Sequence, residues 1–245
     1  MLDKPTPSDR LIVALDFSDP AQAQALIDKL GPAVSFYKIG MELAYSGDSS
    51  NNGFVLADRL IAQGKKVFLD LKLHDIPNTV TKAVATLAKR GYEFLTVHAY
   101  PPTMVAAKQG AVGTNLKLLA VTVLTSLDDA DLAASGYGFS VQDLVARRAG
   151  QAWNAGMDGL VSSAAEVPAL RLLIGTEMRL VTPGIRPQGG DVGDQKRVAT
   201  PRMAIEAGAD YLVIGRPITE AGDPRKAAEA IQNEIAAACA GAAII

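Results

Sequence analysis

Eight short apolar runs rich in β-branched residues recur along the chain, and a stretch of helical character follows each of them. Their apolar residues are nearly continuous instead of alternating with polar ones, which is typical of parallel strands covered on both faces. We predict strands over residues 11–17, 35–41, 65–73, 94–99, 117–124, 159–163, 178–183 and 211–215. Strands that alternate with helices along a sequence form parallel sheets, so this pattern indicates the α/β class.

The segments between these runs carry signals for the start and the end of helices. Asp19-Pro20 and Thr200-Pro201 each place a capping residue before a proline in the first helical position. Several segments end at a glycine, such as Gly31, and glycine commonly terminates helices. We predict helices over residues 20–30, 53–63, 78–90, 101–109, 142–155, 164–174, 201–207 and 224–238.

Eight strand–helix units in succession, with no linker and no shift in composition, predict a single (β/α)8 TIM barrel over residues 1–245. The length of 245 residues and the hydrophobic content of 49% fit one barrel domain. A doubly wound open sheet is the alternative. The first strand is not followed by a Gly-x-Gly-x-x-Gly turn, and this disfavours the open sheet.

The overall composition argues against several classes of protein. A formal net charge of −2 gives no global attraction to polyanions, so we expect no nucleic-acid or membrane partner. No stretch approaches the roughly 20 apolar residues that span a bilayer, and the N-terminus lacks the apolar core of a signal peptide. Cys239 is the one cysteine, which leaves no disulfide framework and no cysteine-based metal site. We therefore expect a soluble, cytoplasmic protein.

Charged residues interrupt the third predicted strand, in the segment Val-Phe-Leu-Asp-Leu-Lys-Leu-His-Asp-Ile-Pro-Asn-Thr at 67–79. Asp70 and Lys72 are two residues apart, so on a regular strand they share one face, and Asp75 follows where the strand ends. Charged groups are almost never fully buried unless they are paired. The segment therefore indicates either a catalytic array or a structural salt bridge, and we favour the catalytic interpretation.

Polar residues at the ends of other strands point to the same region of the barrel. Barrel enzymes carry their active sites at the C-terminal ends of the strands, where residues from independent strands converge. Besides Asp70 and Lys72, the residues expected at this rim are Asp16, Lys38, Thr125, Ser126, Arg186 and Arg216.

Two segments near the C-terminus suggest an anion site. Gly215 and Arg216 follow the eighth strand, and a glycine-rich loop with Arg186 and Gln195 follows the seventh. Loops in these two positions form the usual phosphate site of this fold, and arginine binds oxyanions in bidentate fashion. We expect a phosphate site with residues 187–193 as a closing lid. Alternatively, Arg216 pairs with a helix and the loop is merely flexible.

With these residues identified, the string Asp70-Leu-Lys-Leu-His-Asp75-Ile-Pro-Asn-Thr79 resembles the orotidine 5'-phosphate decarboxylase family, bacterial type. The resemblance covers nearly the whole chain and extends to Leu15-Asp-Phe17, Tyr37-Lys-Ile-Gly40, Val121-Thr-Val-Leu-Thr-Ser126, Thr182-Pro-Gly-Ile-Arg-Pro187, Gly193-Asp-Gln195 and Val213-Ile-Gly-Arg-Pro217. It implies an enzyme of pyrimidine biosynthesis that decarboxylates orotidine 5'-phosphate (OMP) to UMP and CO2 with neither cofactor nor metal.

The resemblance also implies roles for individual residues. Lys72 would protonate C6 as CO2 leaves, and Asp70 would lie beside the substrate carboxylate. Asp16 and Lys38 would contact the ribose hydroxyls and pair with the catalytic array of Asp70 and Lys72. Thr125 would contact the pyrimidine ring. The phosphate and lid contacts would come from Arg186, Gln195, Gly215 and Arg216. Asp75, Ile76 and Thr79 would reach into the active site of a second subunit, which implies a homodimer with shared sites.

Two other functions remain open at this point. A Mg2+-dependent sugar-phosphate lyase or decarboxylase of the same superfamily would use a glutamate where this chain has Lys38, and a lysine there opposes metal binding. A non-catalytic nucleotide-binding barrel would be expected to have lost Lys72 or one of the aspartates. His98, near the rim, is expected to pack and not to catalyse, and His74 is left out of the chemistry because strand alternation turns it away from Asp70 and Lys72.

Overall fold

The computed structural model describes residues 5–187 and 199–242 of the chain. Its eight strands are β1 Leu11–Ala14, β2 Phe36–Gly40, β3 Lys66–Leu73, β4 Phe94–His98, β5 Lys117–Val121, β6 Gly159–Val161, β7 Arg179–Thr182 and β8 Tyr211–Ile214. Each strand pairs in parallel with the next, and β8 pairs with β1 to close the barrel. The prediction of a (β/α)8 barrel is confirmed. Several predicted strands extend too far at the C-terminal end, because their last residues leave the sheet and enter the rim loops.

The helices alternate with these strands. They are α1 Pro20–Leu30, α2 Met41–Ala44, α3 Gly53–Ala62, α4 Pro77–Leu87, α5 Pro101–Gly110, α6 Asp129–Ala134, α7 Val141–Asn154, α8 Val167–Ile174, α9 Pro201–Glu206, α10 Arg216–Thr219 and α11 Pro224–Ala242. The expected caps are present: Asp19 accepts a hydrogen bond from the Ala21 amide at 2.8 Å, and Thr200 accepts one from the Met203 amide at 3.2 Å. None of the helices in the described ranges is long and apolar enough to cross a membrane.

Aromatic side chains fill the interior of the barrel. Phe36, Phe68, Phe94 and Tyr211 pack together with ring centroids 5.1–6.0 Å apart. They belong to an inner apolar cluster that is separate from the larger core between the strands and the helices. Because these rings occupy the interior, the open space lies above them, towards the C-terminal ends of the strands.

Charged residues at the opposite, N-terminal end of the barrel form ion pairs of their own. Lys66, the first residue of β3, lies 3.1 Å from Asp9, and Lys117, the first residue of β5, lies 2.5 Å from Glu93. In barrels of this fold, residues at the N-terminal face act in stability and not in catalysis. These pairs are therefore structural.

Candidate active site

A cavity of about 550 Å³ opens at the C-terminal ends of the strands. Its walls come from β1, β2, β3, β5, β6 and β8, from loops at this end of the barrel that include the one after β7, and from α10. The structure brings together eight of the predicted site residues around it, namely Asp16, Lys38, Asp70, Lys72, Thr125, Arg186, Gly215 and Arg216.

Four of these residues form a row of alternating charges. Asp16 Oδ1 lies 2.9 Å from Lys38 Nζ, which is 3.7 Å from Asp70 Oδ2. Asp70 Oδ2 in turn lies 2.9 Å from Lys72 Nζ. We call these four residues the charged array. Because two ammonium groups face Asp70 and two carboxylates face Lys38, each of the two central charges is paired on both sides.

The two central residues of the charged array are the most buried. The exposed fraction of the side chain is 11% for Lys38 and 12% for Asp70, against 27% for Lys72 and 57% for Asp16. Burial alone would lower the pKa of Lys38, but the carboxylates of Asp70 and Asp16 outweigh it and raise that pKa above the ordinary lysine value. Burial likewise opposes the charged form of Asp70, yet Lys38 and Lys72 hold its pKa below the ordinary aspartate value. Both residues are therefore charged at neutral pH.

The backbone at Lys72 departs from a regular strand. Lys72 has φ of 48°, in the left-handed region, and among the described residues it is the one non-glycine residue with positive φ. The pairing of β3 with β4 shifts here, since Leu69 is opposite Leu95 but Leu73 is opposite Val97. The expectation that regular alternation brings Asp70 and Lys72 together was therefore wrong in its geometry, although the two side chains do meet. Strand bulges of this kind occur often beside active sites.

Thr96 of β4 contacts the charged array and was missed in the sequence. Its Oγ1 donates a hydrogen bond to Asp70 Oδ1 at 2.8 Å and accepts one from the Lys72 amide at 2.9 Å. The side chain is fully buried. Threonine is an ordinary β-branched strand residue, so its presence in β4 carries little signal. The available clue was that a hydroxyl inside a buried strand needs a partner.

A glycine leaves room for the ammonium of Lys38. A Cβ added to Gly40 at the end of β2 would lie 3.0 Å from Lys38 Nζ and 3.5 Å from Asp16 Oδ1. A Cβ at Gly215 would make only ordinary contacts, 3.5 Å from Ala14 Cβ. The space at Gly40 therefore belongs to the charged array, whereas Gly215 lines the cavity without such a close approach.

The predicted anion site is partly described. Arg186 is buried and its guanidinium donates to the Ile185 carbonyl at 2.9 Å, while Arg216 is exposed at the start of α10. Both arginines line the cavity on the side of β7 and β8. Gln195 and residues 188–193 of the predicted lid lie outside the described residues.

Asp75, Ile76 and Thr79 do not line the cavity of their own chain. All three are exposed at the start of α4, and Ile76 has 67% of its surface accessible. The Asp75 carboxylate accepts a hydrogen bond from the Ile76 amide at 2.6 Å. They lie at the same rim as the charged array, but they are not part of the cavity in their own chain.

The two histidines lie outside the set of residues that line the cavity. His74 stacks on Tyr100 with the ring centroids 4.4 Å apart, and its Nδ1 lies 3.0 Å from Thr103 Oγ1. His98 meets the His74 ring edge-on, and burial together with His74 lowers the pKa of His98. Their contacts are those of packed aromatic residues at the edge of the rim.

Comparison with known proteins agrees with this geometry. The model of the orotidine 5'-phosphate decarboxylase / HUMPS family matches residues 9–231. This chain belongs to that family. The predicted family membership is therefore confirmed. The prediction that the chain is an enzyme is confirmed as well, because the relatives described below bear the name of a carboxy-lyase.

Relatives of this family member are similar along nearly their whole length. The chain is 60% identical over 239 residues to the orotidine 5'-phosphate decarboxylase of Afipia carboxidovorans, covering 97% of this chain and 100% of the relative. It is 59% identical over 234 residues to that of Bradyrhizobium sp. strain BTAi1, covering 96% and 94%. The crystal structure of orotidine 5'-phosphate decarboxylase from Lactobacillus acidophilus superposes with a TM-score of 0.81 at 42% identity, covering 95% of this chain and 99% of that one.

Proposed function

We propose that this chain converts OMP to UMP and CO2 in pyrimidine biosynthesis. The charged array carries the proposal, because it exposes an ammonium group to a cavity that also has two arginines on one side. The family and the names of the relatives support the same reaction. A structural salt bridge would not need to line an open cavity.

The reaction requires charge stabilisation at one carbon atom. Cleavage of the bond between C6 and the carboxylate leaves its electron pair on C6, in an orbital that the ring π system cannot delocalise. A fixed ammonium group beside C6 lowers the energy of that developing charge. In the proposed step, Lys72 Nζ supplies this charge and then transfers a proton to C6, so that a C–H bond forms as CO2 departs.

Asp70 has two proposed functions in this step. Its carboxylate holds Lys72 charged and aligned through the contact of 2.9 Å. It would also lie next to the carboxylate of bound substrate, and that repulsion disappears as CO2 forms. Lys38 and Asp16 complete the row of charges and provide polar groups for the ribose hydroxyls. Binding of the remote phosphate by Arg186 and Arg216 would contribute the energy that organises this arrangement.

The proposed reaction uses no metal or cofactor. A divalent cation bound to Asp16 and Asp70 would compete with the ammonium of Lys38, which already contacts both carboxylates. In the described part of the chain, no group of three or more His, Cys, Asp or Glu side chains is arranged to hold a metal ion. The donor set therefore favours decarboxylation of OMP over a Mg2+-dependent sugar-phosphate reaction.

We also propose that the active form is a homodimer with shared sites. Asp75, Ile76 and Thr79 are exposed together at the rim and do not line the cavity of their own chain, so they are accessible to a second subunit. A two-fold dimer would let these residues of one subunit complete the cavity of the other.

The experiment that tests the function is a direct assay with OMP. Loss of the absorbance of the orotate ring is followed with time, and UMP is identified as the product by chromatography. We expect the same rate before and after treatment with a strong chelator. No turnover of OMP would overturn the function, and loss of activity on chelation would favour the metal-dependent alternative.

A further inference from the structure

Thr96 joins the two residues at the centre of the proposed reaction. Its hydroxyl donates to the Asp70 carboxylate at 2.8 Å and accepts from the Lys72 amide at 2.9 Å. A carboxylate can only accept hydrogen bonds and an amide N–H can only donate them. The single hydroxyl proton is therefore committed to Asp70.

The hydrogen bond from Thr96 determines which oxygen of Asp70 faces each of its partners. Oδ1 is bound to the Thr96 hydroxyl, and Oδ2 faces both ammonium groups, at 2.9 Å from Lys72 Nζ and 3.7 Å from Lys38 Nζ. Rotation of the carboxylate would break the bond to Thr96 and move Oδ2 away from Lys72. Thr96 thus opposes rotation of the group that aligns the proposed proton donor.

The second hydrogen bond of Thr96 secures the bulge in β3. Between the pairs Leu69–Leu95 and Leu73–Val97, β3 advances four residues while β4 advances two. The backbone of β4 cannot pair with every amide in that stretch, and the hydroxyl of Thr96 accepts from the Lys72 amide instead. The left-handed region is unfavourable for a residue other than glycine, so this conformation of Lys72 needs such support.

We propose that Thr96 is a positioning residue for the decarboxylation, which holds the Asp70 carboxylate and the backbone of Lys72 in the arrangement that aims the ammonium group at C6. The inference rests on the proposed function. Thr96 is fully buried and does not line the cavity, so it acts through its two partners and not on the substrate.

Paired substitutions at position 96 test this proposal. Thr96→Val preserves the shape but removes the hydroxyl, and Thr96→Ser keeps the hydroxyl but removes the methyl group. We expect kcat of Thr96→Val to fall about 10- to 100-fold because the ammonium is misaligned. KM for OMP should change less than about threefold because the phosphate contacts are intact. Thr96→Ser should restore most of kcat.

The pH dependence of kcat/KM distinguishes a positioning role from a purely structural role, because a purely structural role would leave this dependence unchanged. The groups that face Asp70 are Lys38 on β2, Lys72 on β3 and, more remotely, His98 on β4, and none of them is altered by Thr96→Val. Loss of the Thr96 hydrogen bond removes support for the charged carboxylate. The acid limb of kcat/KM should therefore move to higher pH in Thr96→Val and remain near the wild-type position in Thr96→Ser.

Thr122→Val is the matched control. Thr122 directly follows β5 and is equally buried, and its hydroxyl donates to the Val161 carbonyl at 3.1 Å without touching the charged array. This variant should lose comparable thermal stability with unchanged kcat.

Wild-type kcat in Thr96→Val, or a Thr96→Ser variant as slow as Thr96→Val, would overturn the proposal. If Thr96→Val does not fold, Thr96→Ser alone decides, since a loss of kcat in this hydroxyl-bearing variant would contradict the proposal. Absence of turnover in the wild type would instead overturn the proposed function, and this inference with it.

Discussion

Asp70 is the residue on which the charged array converges. It is nearly buried, yet its carboxylate contacts Lys38, Lys72 and Thr96, so both oxygens have partners. Removing one member of a buried ion pair typically costs about 3–5 kcal/mol, because the other charge is left uncompensated. We therefore expect substitutions in the charged array to lower the stability of the protein as well as its turnover.

The lowered pKa of Asp70 predicts a stability change in acid. Because the folded value is below the ordinary value of 3.8, the charged form stabilises the fold at neutral pH, and this contribution is lost as pH falls through the folded pKa. Asp70→Asn mimics the protonated side chain and removes the contribution at every pH. The difference in unfolding free energy between wild type and Asp70→Asn, measured with urea, should therefore shrink as pH decreases from about 7 to about 3. A difference independent of pH would contradict this account.

The raised pKa of Lys38 acts at the other end of the pH scale. Its contribution to stability is present below the ordinary lysine value of 10.5 and is lost only as pH rises through the higher folded pKa. Between the two limits the central charges do not change. Asp70 and Lys38, the two central residues of the charged array, therefore stay charged around neutral pH, and neither of them titrates in that range.

At the scale of the elements, the end of β2 offers a test of the space around the charged array. Gly40→Ala places a methyl group 3.0 Å from Lys38 Nζ, and the flexible end of the lysine can move away at little cost to the fold. We expect a turnover loss of about tenfold or more, because a small displacement of a catalytic group is costly. The melting temperature should change little.

Gly150→Ala in α7 is the control, because an added Cβ there meets nothing within 4 Å. It should leave turnover unchanged and stabilise the helix slightly. Equal turnover in Gly40→Ala and wild type would show that the space beside Lys38 is not needed.

The strands and the long helices could be predicted because each carries a sustained pattern of apolar residues and caps. The short helices α2, α6 and α10 were not predicted, since four to six residues are too few to show helical periodicity; α9 is as short as α6 but was found through its Thr200-Pro201 start signal. The bulge at Lys72 was also hidden, because the same sequence reads as a regular strand and only the pairing with β4 reveals the extra residues. Thr96 was missed for the same reason: its two partners depend on that pairing.

At the scale of the whole molecule, the barrel separates two kinds of ion pair that look alike in the sequence. Lys66 and Lys72 both lie on β3, and each contacts an aspartate, at 3.1 Å and 2.9 Å respectively. Lys66 is at the N-terminal end and Lys72 is at the C-terminal end, beside the cavity. The prediction that charges gather at one rim could be made from strand direction alone.

The proposed shared site predicts recovery of activity on mixing. Lys72→Ala and Asp75→Asn should each be inactive alone, since each homodimer carries a lesion in both sites. A mixed dimer has one site with both lesions and one with neither, so activity should return towards about half per mixed dimer. Subunit exchange is checked with differently tagged chains, and two Lys72→Ala preparations serve as the control. Confirmed exchange without any recovery would contradict shared sites.

The most direct test of the central claim is the rate of OMP decarboxylation by Lys72→Ala at saturating substrate, measured beside wild type and Lys66→Ala. Lys66→Ala removes an ion-paired lysine from the same strand at the opposite end of the barrel, and it should keep turnover within about threefold of wild type, because that end serves stability. Lys72→Ala should fold and bind UMP but lose about 10⁴-fold or more in turnover, since it lacks both the stabilising charge and the proton donor. Turnover of Lys72→Ala within about tenfold of wild type would contradict the account.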